Sequence, residues 1–467
     1  MAAVVESTPS RQWALALLLG LIIGLIALSG STAVQLGFLA AVVSLFLSWF
    51  VFTVRGFGLS LLLAALILLP PLPIPLGDSG PHPAIAIAAL CMLAGIARLN
   101  EWRIPATPIN LSWAALVGAM TLSLGFALFY SGPAVAAASA ARVGLFAIAP
   151  FVFLTTAYGP DHQSPREAVR LAKALFYIAI FAAALGAIDF FFQLPAPAGF
   201  GPQFVWLDSG VFRRAQGLFY ESSTLGNFCA FFLVMAAVAL TEPKDRRPLP
   251  AMLLCAGAAV LATALILSYS RASAGAVIIS LITLMLLRCS RREIAKLTFL
   301  FAAGAAAAVA FSAFLWPEFT QSYLARLGFS LENLWTMPDR VFSGRLGSWS
   351  VIVSFIQNHP WQSLLGIGYK TLPYSTYLGT SVIADNTYLS TLVETGVPGL
   401  AALLSLHACI FALCWRARRN ARSAFFATWM FCFWAGESVQ MLFGDLLTYW
   451  RILPIFCWVL AHANSRD

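Results

Sequence analysis

Long uninterrupted apolar runs, separated by short polar breaks, dominate the chain. They fall near 13–29, 34–54, 57–76, 83–97, 110–130, 140–158, 172–193, 222–240, 250–268, 273–288, 297–315, 387–414, 424–443 and 447–462. A helix needs roughly 20 such residues to cross a hydrocarbon core about 30 Å thick. Backbone groups in lipid must bond within the structure, so only helices and closed barrels span it. The runs are continuous and lack the alternation of a barrel strand, which selects helices. The pattern predicts an all-α polytopic protein of about 12–14 transmembrane helices. Prolines at 70, 71, 73 and 75 predict a kinked or re-entrant third segment.

Composition agrees with this pattern. Of 467 residues, 60% are hydrophobic and only 10% charged, against about a quarter charged in soluble domains. A single integral membrane domain over 1–467 is expected. The net charge of +9 would suggest a nucleic-acid partner in a soluble protein. Here Lys and Arg recur in every second loop: Arg55; Arg98 and Arg103; Arg166, Arg170 and Lys173; Lys244, Arg246 and Arg247; Arg288, Arg291, Arg292 and Lys296; Arg416, Arg418, Arg419 and Arg422. The positive-inside rule assigns these loops, with Arg11 and Arg466, to the cytoplasm, together with both termini. No nucleic acid is expected as a partner. The eight cysteines include no CxxC pair and read as small core residues, with no metal site implied. The opening MAAVVESTPSRQ lacks a small-residue cleavage site after its apolar run, so the first helix is read as retained.

Loop bias does not account for the opposite face, which carries Arg142, Arg213, Arg214, Arg271, Arg326, Arg340, Arg345, Lys370 and Arg451. Some of these are expected to pair with acids of the same face, such as Asp208, Glu221, Glu318, Asp339 or Asp385. As a set, they suit an anionic ligand. Arginine presents a planar fork matched to phosphate oxygens and stays charged when partly buried, and ionisable groups near a membrane mark sites.

Two connections on that face are long, a smaller one at 194–221 and a larger one at 316–386, and long loops are usually functional. Within the larger, EFTQSYLARLG predicts a short amphipathic helix. SGRLGSWSVIVSFIQNH predicts another, with Ser343 as N-cap and Pro360 closing it. Four segments concentrate polar chemistry. RRAQGLFYESSTLGNF (213–228) brings Arg213, Arg214 and Glu221 to a helix start, with Ser222 and Ser223 as candidate caps. LSYSRASAG (267–275) places Arg271 in a tight turn among serines. DRVFSGRLGSWSVIVSFIQNHPWQSLLGIGYKTL (339–372) adds Arg340, Arg345, Tyr369 and Lys370; its GIGYK follows no strand and is not read as a nucleotide loop. ADNTYLSTLVETGVPGLAALL (384–404) opens a helix with Asp385, Asn386 and Thr387 and buries Glu394 within it.

An SxSR turn, then sGR with a following Trp and HPxxGxG, then DNxYLxxLxETGxxG, in that order over about 205–410, resembles the bacterial O-antigen ligase and O-antigen polymerase superfamily. The resemblance implies a GT-C-like membrane glycosyltransferase of the inner membrane, with one large periplasmic loop at 316–386 and a smaller one at 194–221. It implies transfer from an undecaprenyl-diphosphate-linked oligosaccharide to a growing glycan, with no metal, nucleotide sugar or other cofactor. Periplasmic arginines hold the lipid diphosphate in the family, and Arg271, Arg345, Arg214 and Arg340 match those positions. A flippase and a chain-length regulator are the partners implied, besides the lipid bilayer.

Ligases of this family carry His before the Asn of the last motif; this chain has Asp385. The departure sits more easily with polymerases, and a carboxylate there is suited to accepting a proton from a sugar hydroxyl or orienting it. The expectation is an exopolysaccharide or O-antigen polymerase with Asp385, Arg271 and Arg345 as catalytic residues. Arg213, Arg214, Glu221, Arg340, Tyr369, Lys370 and Asn386 are expected to bind substrate. A ligase acting on lipid A core or protein is the alternative within the class. A transporter or flippase of an anionic lipid-linked substrate is the alternative outside it, but would be expected to place charges near the bilayer midplane in repeat-related helices. A purely structural scaffold would need no arginine in the 268–273 turn.

Overall fold

The computed structural model describes residues 32–72, 81–159, 163–195, 203–207, 209–219, 221–288, 313–314, 316–374 and 381–464. The predicted spans at 13–29 and, but for two residues, 297–315 lie outside these, as do the retained first helix, Arg11, Arg291, Arg292, Lys296 and Arg466. Residues 1–58 and 59–467 form two compact units. The described part of the first holds α1 (Thr32–Thr53) and the start of α2 (Phe57–Leu68).

The second unit continues with α3 (Pro83–Ala97), α4 (Pro108–Tyr158) and α5 (Pro165–Phe192). A hairpin of β1 (Phe204–Leu207) and β2 (Gly210–Arg213) follows, antiparallel, with Phe204 opposite Arg213 and Leu207 opposite Gly210. Then come α6 (Ser222–Thr241), α7 (Ala251–Leu267), α8 (Arg271–Arg288), α9 (Pro317–Glu332), α10 (Pro338–Val341), α11 (Arg345–Asn358), α12 (Pro360–Leu365), α13 (Thr387–Ala417), α14 (Ala424–Gln440) and α15 (Leu453–Ala463). Among the described residues, α4, α5, α6, α8 and α13 are long and apolar enough to cross a membrane, and α2, α3, α7 and α15 are shorter apolar helices. The protein is an all-α polytopic membrane protein.

Local chemistry sets the helix limits. Ser164 and Glu167 form a reciprocal capping box at the start of α5, with Pro165 in the first turn. The predicted third span stops at Leu68, ahead of Pro70 and Pro71, because proline supplies no amide to continue the ladder. The runs at 110–130 and 140–158 form two helical segments, the two halves of α4, which meet at a kink where Gly132 takes φ +83° before Pro133. Ser343 caps nothing: α11 starts behind Gly344, and Pro360 opens α12. Ser222 and Ser223 lie inside α6, behind Glu221. Asn386 does cap α13, its side-chain oxygen accepting from the amides of Tyr388 and Leu389, each at 3.0 Å.

The core centres on α6, whose apolar residues run all around the helix and which packs against α5, α7, α8 and α14. Phe231 sits 4.5 Å from Trp429 and 4.4 Å from Phe456, ring to ring, and its carbonyl accepts from the Trp429 indole. Close backbone approach holds α8 to α14: a Cβ on Gly436 would stand 2.2 Å from the Ala276 carbonyl. Apolar residues such as Leu122, Phe129 and Leu286 face outward, as lipid contact requires.

Residues 316–374 and 381–386 cover one end of the bundle. Beneath them Ile352, Phe355, Ile367, Leu372 and Val382 form a small core with Val393 of α13. It is anchored where α13 breaks at Gly396 (φ 74°, ψ −176°). Freed from helical pairing, the carbonyls of Val393 and Glu394 accept from the amides of Ile367 (3.0 Å) and Gly368 (2.9 Å). Gly366 (φ 88°, ψ 160°) lies against this break; a Cβ there would meet the Glu394 carbonyl at 2.6 Å, and one on Gly396 would meet the Leu364 carbonyl at 2.4 Å. Both glycines occupy backbone conformations that side chains essentially forbid. Gly366→Ala and Gly396→Ala are each expected to cost at least about 1–3 kcal/mol, measured as a fall in the melting temperature of purified protein. Gly118→Ala, with nothing within 4 Å, is the neutral control.

Candidate active site

The covered end of the bundle encloses a cavity of about 1000 Å³. Arg142, Arg214, Arg271, Arg345, Arg451 and Lys370 line it together with Glu221, Asp385, Glu394 and Asp445. These side chains come from α4, α8, α11 and α13, the residue after the hairpin, the turn after α12, and the loops before α6, before α13 and around 445–451, so no single segment builds the site.

Arg271 is the first residue of α8. Its guanidinium donates to Ser330 Oγ (2.9 Å) on α9, the Val341 carbonyl (2.9 Å) on α10 and Ser343 Oγ (3.0 Å). The predicted cap Ser343 is thus a partner of Arg271. Ser270 and Ser273 hydrogen-bond each other, and Gln440 of α14 donates to Ser273. Arg345 opens α11, and its Nε stands 3.2 Å from Asp385 Oδ2. Asp385 takes φ 42°. Its neighbours are held on both sides: the Ala384 carbonyl accepts from Trp349 Nε1, and Thr387 bonds the carbonyls of Met441 and Gly444. Arg214 donates to Gln203 Oε1 at 3.1 Å, an oxygen that also accepts from Ser222. Glu221 accepts from Ser223 Oγ at 3.0 Å.

Tyr369 and Lys370 reach the cavity because the Gly366–Gly368 turn is docked on α13. The Tyr369 amide donates to Ser123 of α4, and Arg142 donates to the Lys370 carbonyl while lying 4.7 Å above the Tyr374 ring. The Lys370 ammonium is clasped by Asp445 and lies 3.7 Å from Glu394 Oε2. Burial opposes its charge, but the two carboxylates outweigh this and hold it above the ordinary lysine range. Burial also pushes the Tyr369 phenol up. Crowding by protein, and then the negative charges of Asp385 and Asp445, raise the Glu221 carboxyl above its usual value despite the Ser223 hydrogen bond.

Three residues singled out from sequence are not part of the cavity wall. Arg213 turns away to Asp189 and the Leu194 carbonyl. Arg340 is exposed on α10, its guanidinium 4.0 Å from Met337 Sδ. Asn386 is buried as the α13 cap. Arg451, by contrast, lines the cavity yet is almost wholly buried. It donates to the carbonyls of Leu66, Ile67 and Leu69 at the end of α2 and to Leu218, where a cation meets the negative end of the helix dipole. Among the described residues no three of His, Cys, Asp or Glu gather to hold a metal ion.

From sequence, Arg142 belonged to the outward set of cations but not to the named site residues, Glu394 was only a carboxylate buried in its helix, and Asp445 was overlooked. The signal for Asp445 was an acid in the short break between the apolar runs 424–443 and 447–462, on the same face as the arginines.

Residues 256–404 match the family model described as O-antigen ligase. The matched stretch contains Arg271, Arg345, Lys370, Asp385 and Glu394. It supports membership of the O-antigen ligase/polymerase superfamily, and with it a membrane enzyme of the glycosyltransferase type. No curated protein matches the chain.

Lys370 links the long connection to α13 and to the loop before α15 through two buried carboxylates. Lys370→Met strands both and is expected to cost about 3–5 kcal/mol, read by denaturation of the purified protein. Adding Asp445→Asn should recover part of that loss, because one of the two uncompensated charges is removed.

Proposed function

We propose that this protein polymerises undecaprenyl-diphosphate-linked oligosaccharide repeat units on the periplasmic side of the bacterial inner membrane. The observation that carries this reading is the meeting of Arg271, Arg345 and Arg214 with a set of carboxylates around one cavity. A lipid diphosphate calls for forked, permanently charged donors, and a sugar hydroxyl calls for a nearby carboxylate. Asp385, where ligases of the family carry His, supports polymerase over ligase.

In this scheme the donor diphosphate lies among the three arginines. The acceptor's non-reducing-end hydroxyl oxygen attacks the donor's anomeric carbon as its O–H bond breaks and the proton passes to a carboxylate of the cavity. The bond from that carbon to the diphosphate oxygen breaks, its electron pair leaves with the diphosphate, and the anomeric configuration inverts. The arginines stabilise the charge developing on the leaving group. Asp385 orients Arg345 through the 3.2 Å ion pair. No part of this chemistry draws on a metal or nucleotide sugar.

Membranes carrying Arg271→Ala, Arg345→Ala or Asp385→Ala at matched expression should accumulate single lipid-linked repeat units, with polymer reduced at least about 100-fold, as for loss of a charge-stabilising donor. Polymer that persists on the carrier but never reaches another acceptor would identify a ligase. Wild-type behaviour of all three variants would remove the site assignment and favour transport.

A further inference from the structure

Four carboxylates line the cavity, and three are committed to cations: Asp385 to Arg345, Asp445 and Glu394 to Lys370. A carboxylate beside a cation is held in its charged form and is the weaker base. Glu221 has no salt bridge among the described residues. It stands at the N-cap position of α6, yet its side chain makes no capping bond; it reaches the cavity instead. Its partner is a hydroxyl. Ser223 donates to Glu221 Oε2 at 3.0 Å. This bond holds the carboxylate without neutralising it.

We propose that Glu221 is the general base that takes the proton of the acceptor hydroxyl. The inference rests on the glycosyl-transfer reading above. As the acceptor oxygen bonds to the anomeric carbon, its O–H bond breaks and the proton passes to a Glu221 carboxylate oxygen. The carbon-to-diphosphate bond breaks in the same step, and its electron pair leaves on the diphosphate. Glu221 then returns the proton to solvent through the cavity. Crowding and the nearby charges of Asp385 and Asp445 favour the protonated form of Glu221, and a base is most effective when its pKa lies near the working pH. Asp385 and Arg345 serve as a positioning pair for the donor.

The test is turnover by the purified full-length protein, reconstituted with a lipid-linked repeat unit as donor and acceptor. Glu221→Gln should lower kcat by about 10²–10⁴-fold while donor affinity and the acceptor KM stay at wild-type values. Glu221→Asp should be intermediate. The groups facing Glu221 are Asp385, Asp445 and Tyr449, with Arg214 and Arg271 in the same cavity. Wild-type kcat should rise with pH as Glu221 ionises, and this rise should vanish in Glu221→Gln. It should persist in Asp385→Asn, displaced to lower pH because one repelling carboxylate is gone. Near-wild-type kcat in Glu221→Gln, or a loss confined to KM, overturns the proposal. Unaltered donor binding by Glu221→Gln separates a chemical defect from misfolding. If the wild-type protein itself transfers no sugar, the transferase reading fails instead.

Discussion

Where Gly366 lies against Gly396, two stretches of backbone touch with no side chain between them, and the arrangement of the cavity follows from that contact. A helix crossing lipid has no reason to break in mid-course, because every freed carbonyl must find another partner. In α13 the break at Gly396 is stabilised by amides of the turn after α12, which accept the role of the missing helical donors. The break therefore has a partner, and the turn has a fixed position. Tyr369 and Lys370 follow directly, and Glu394 lies two residues before the break. A β-carbon on either glycine would separate the two backbones and release all three side chains together.

Charge placement follows the same economy of partners. Arg271 and Arg345 sit on the first residues of α8 and α11, and each is held by neutral hydroxyls and carbonyls or by a single carboxylate. Lys370 is enclosed by two carboxylates, and Arg451 is occupied by the carbonyls ending α2. These cations have different roles. Arg271 and Arg345 line the cavity beside the open space; Lys370 and Arg451 tie segments of its wall together. Of the cavity carboxylates, among the described residues, Asp385, Asp445 and Glu394 meet cations and Glu221 meets a hydroxyl.

Much of this molecule was legible without coordinates. Continuous apolar runs specify helices in lipid because barrel strands would alternate, and Asn386 caps α13 as its position predicts. The outward arginines marked the end that holds the cavity, and the ordered motifs from Ser268 to Gly396 pointed to the superfamily that the 256–404 match supports. Less was legible where local rules compete. Ser343 has the composition of a cap but bonds Arg271. The 194–221 connection contains a hairpin with no strong alternation, since its strands are four residues each.

What the sequence determined by itself was the solvent, the helical class and the residue types gathered on one face, because hydrophobic run length and loop charge act locally and need no partner. Which arginine binds outward and which one braces the wall was decided only in three dimensions. Arg213 and Arg214 are adjacent in sequence, yet one closes on Asp189 of α5 and the other lines the cavity. Asp385 and Glu221 are both acids at helix starts, yet one meets Arg345 and the other a serine hydroxyl. The energy of a charge near the membrane depends on what stands within a few ångströms of it, and those neighbours come from segments as much as hundreds of residues away in the chain.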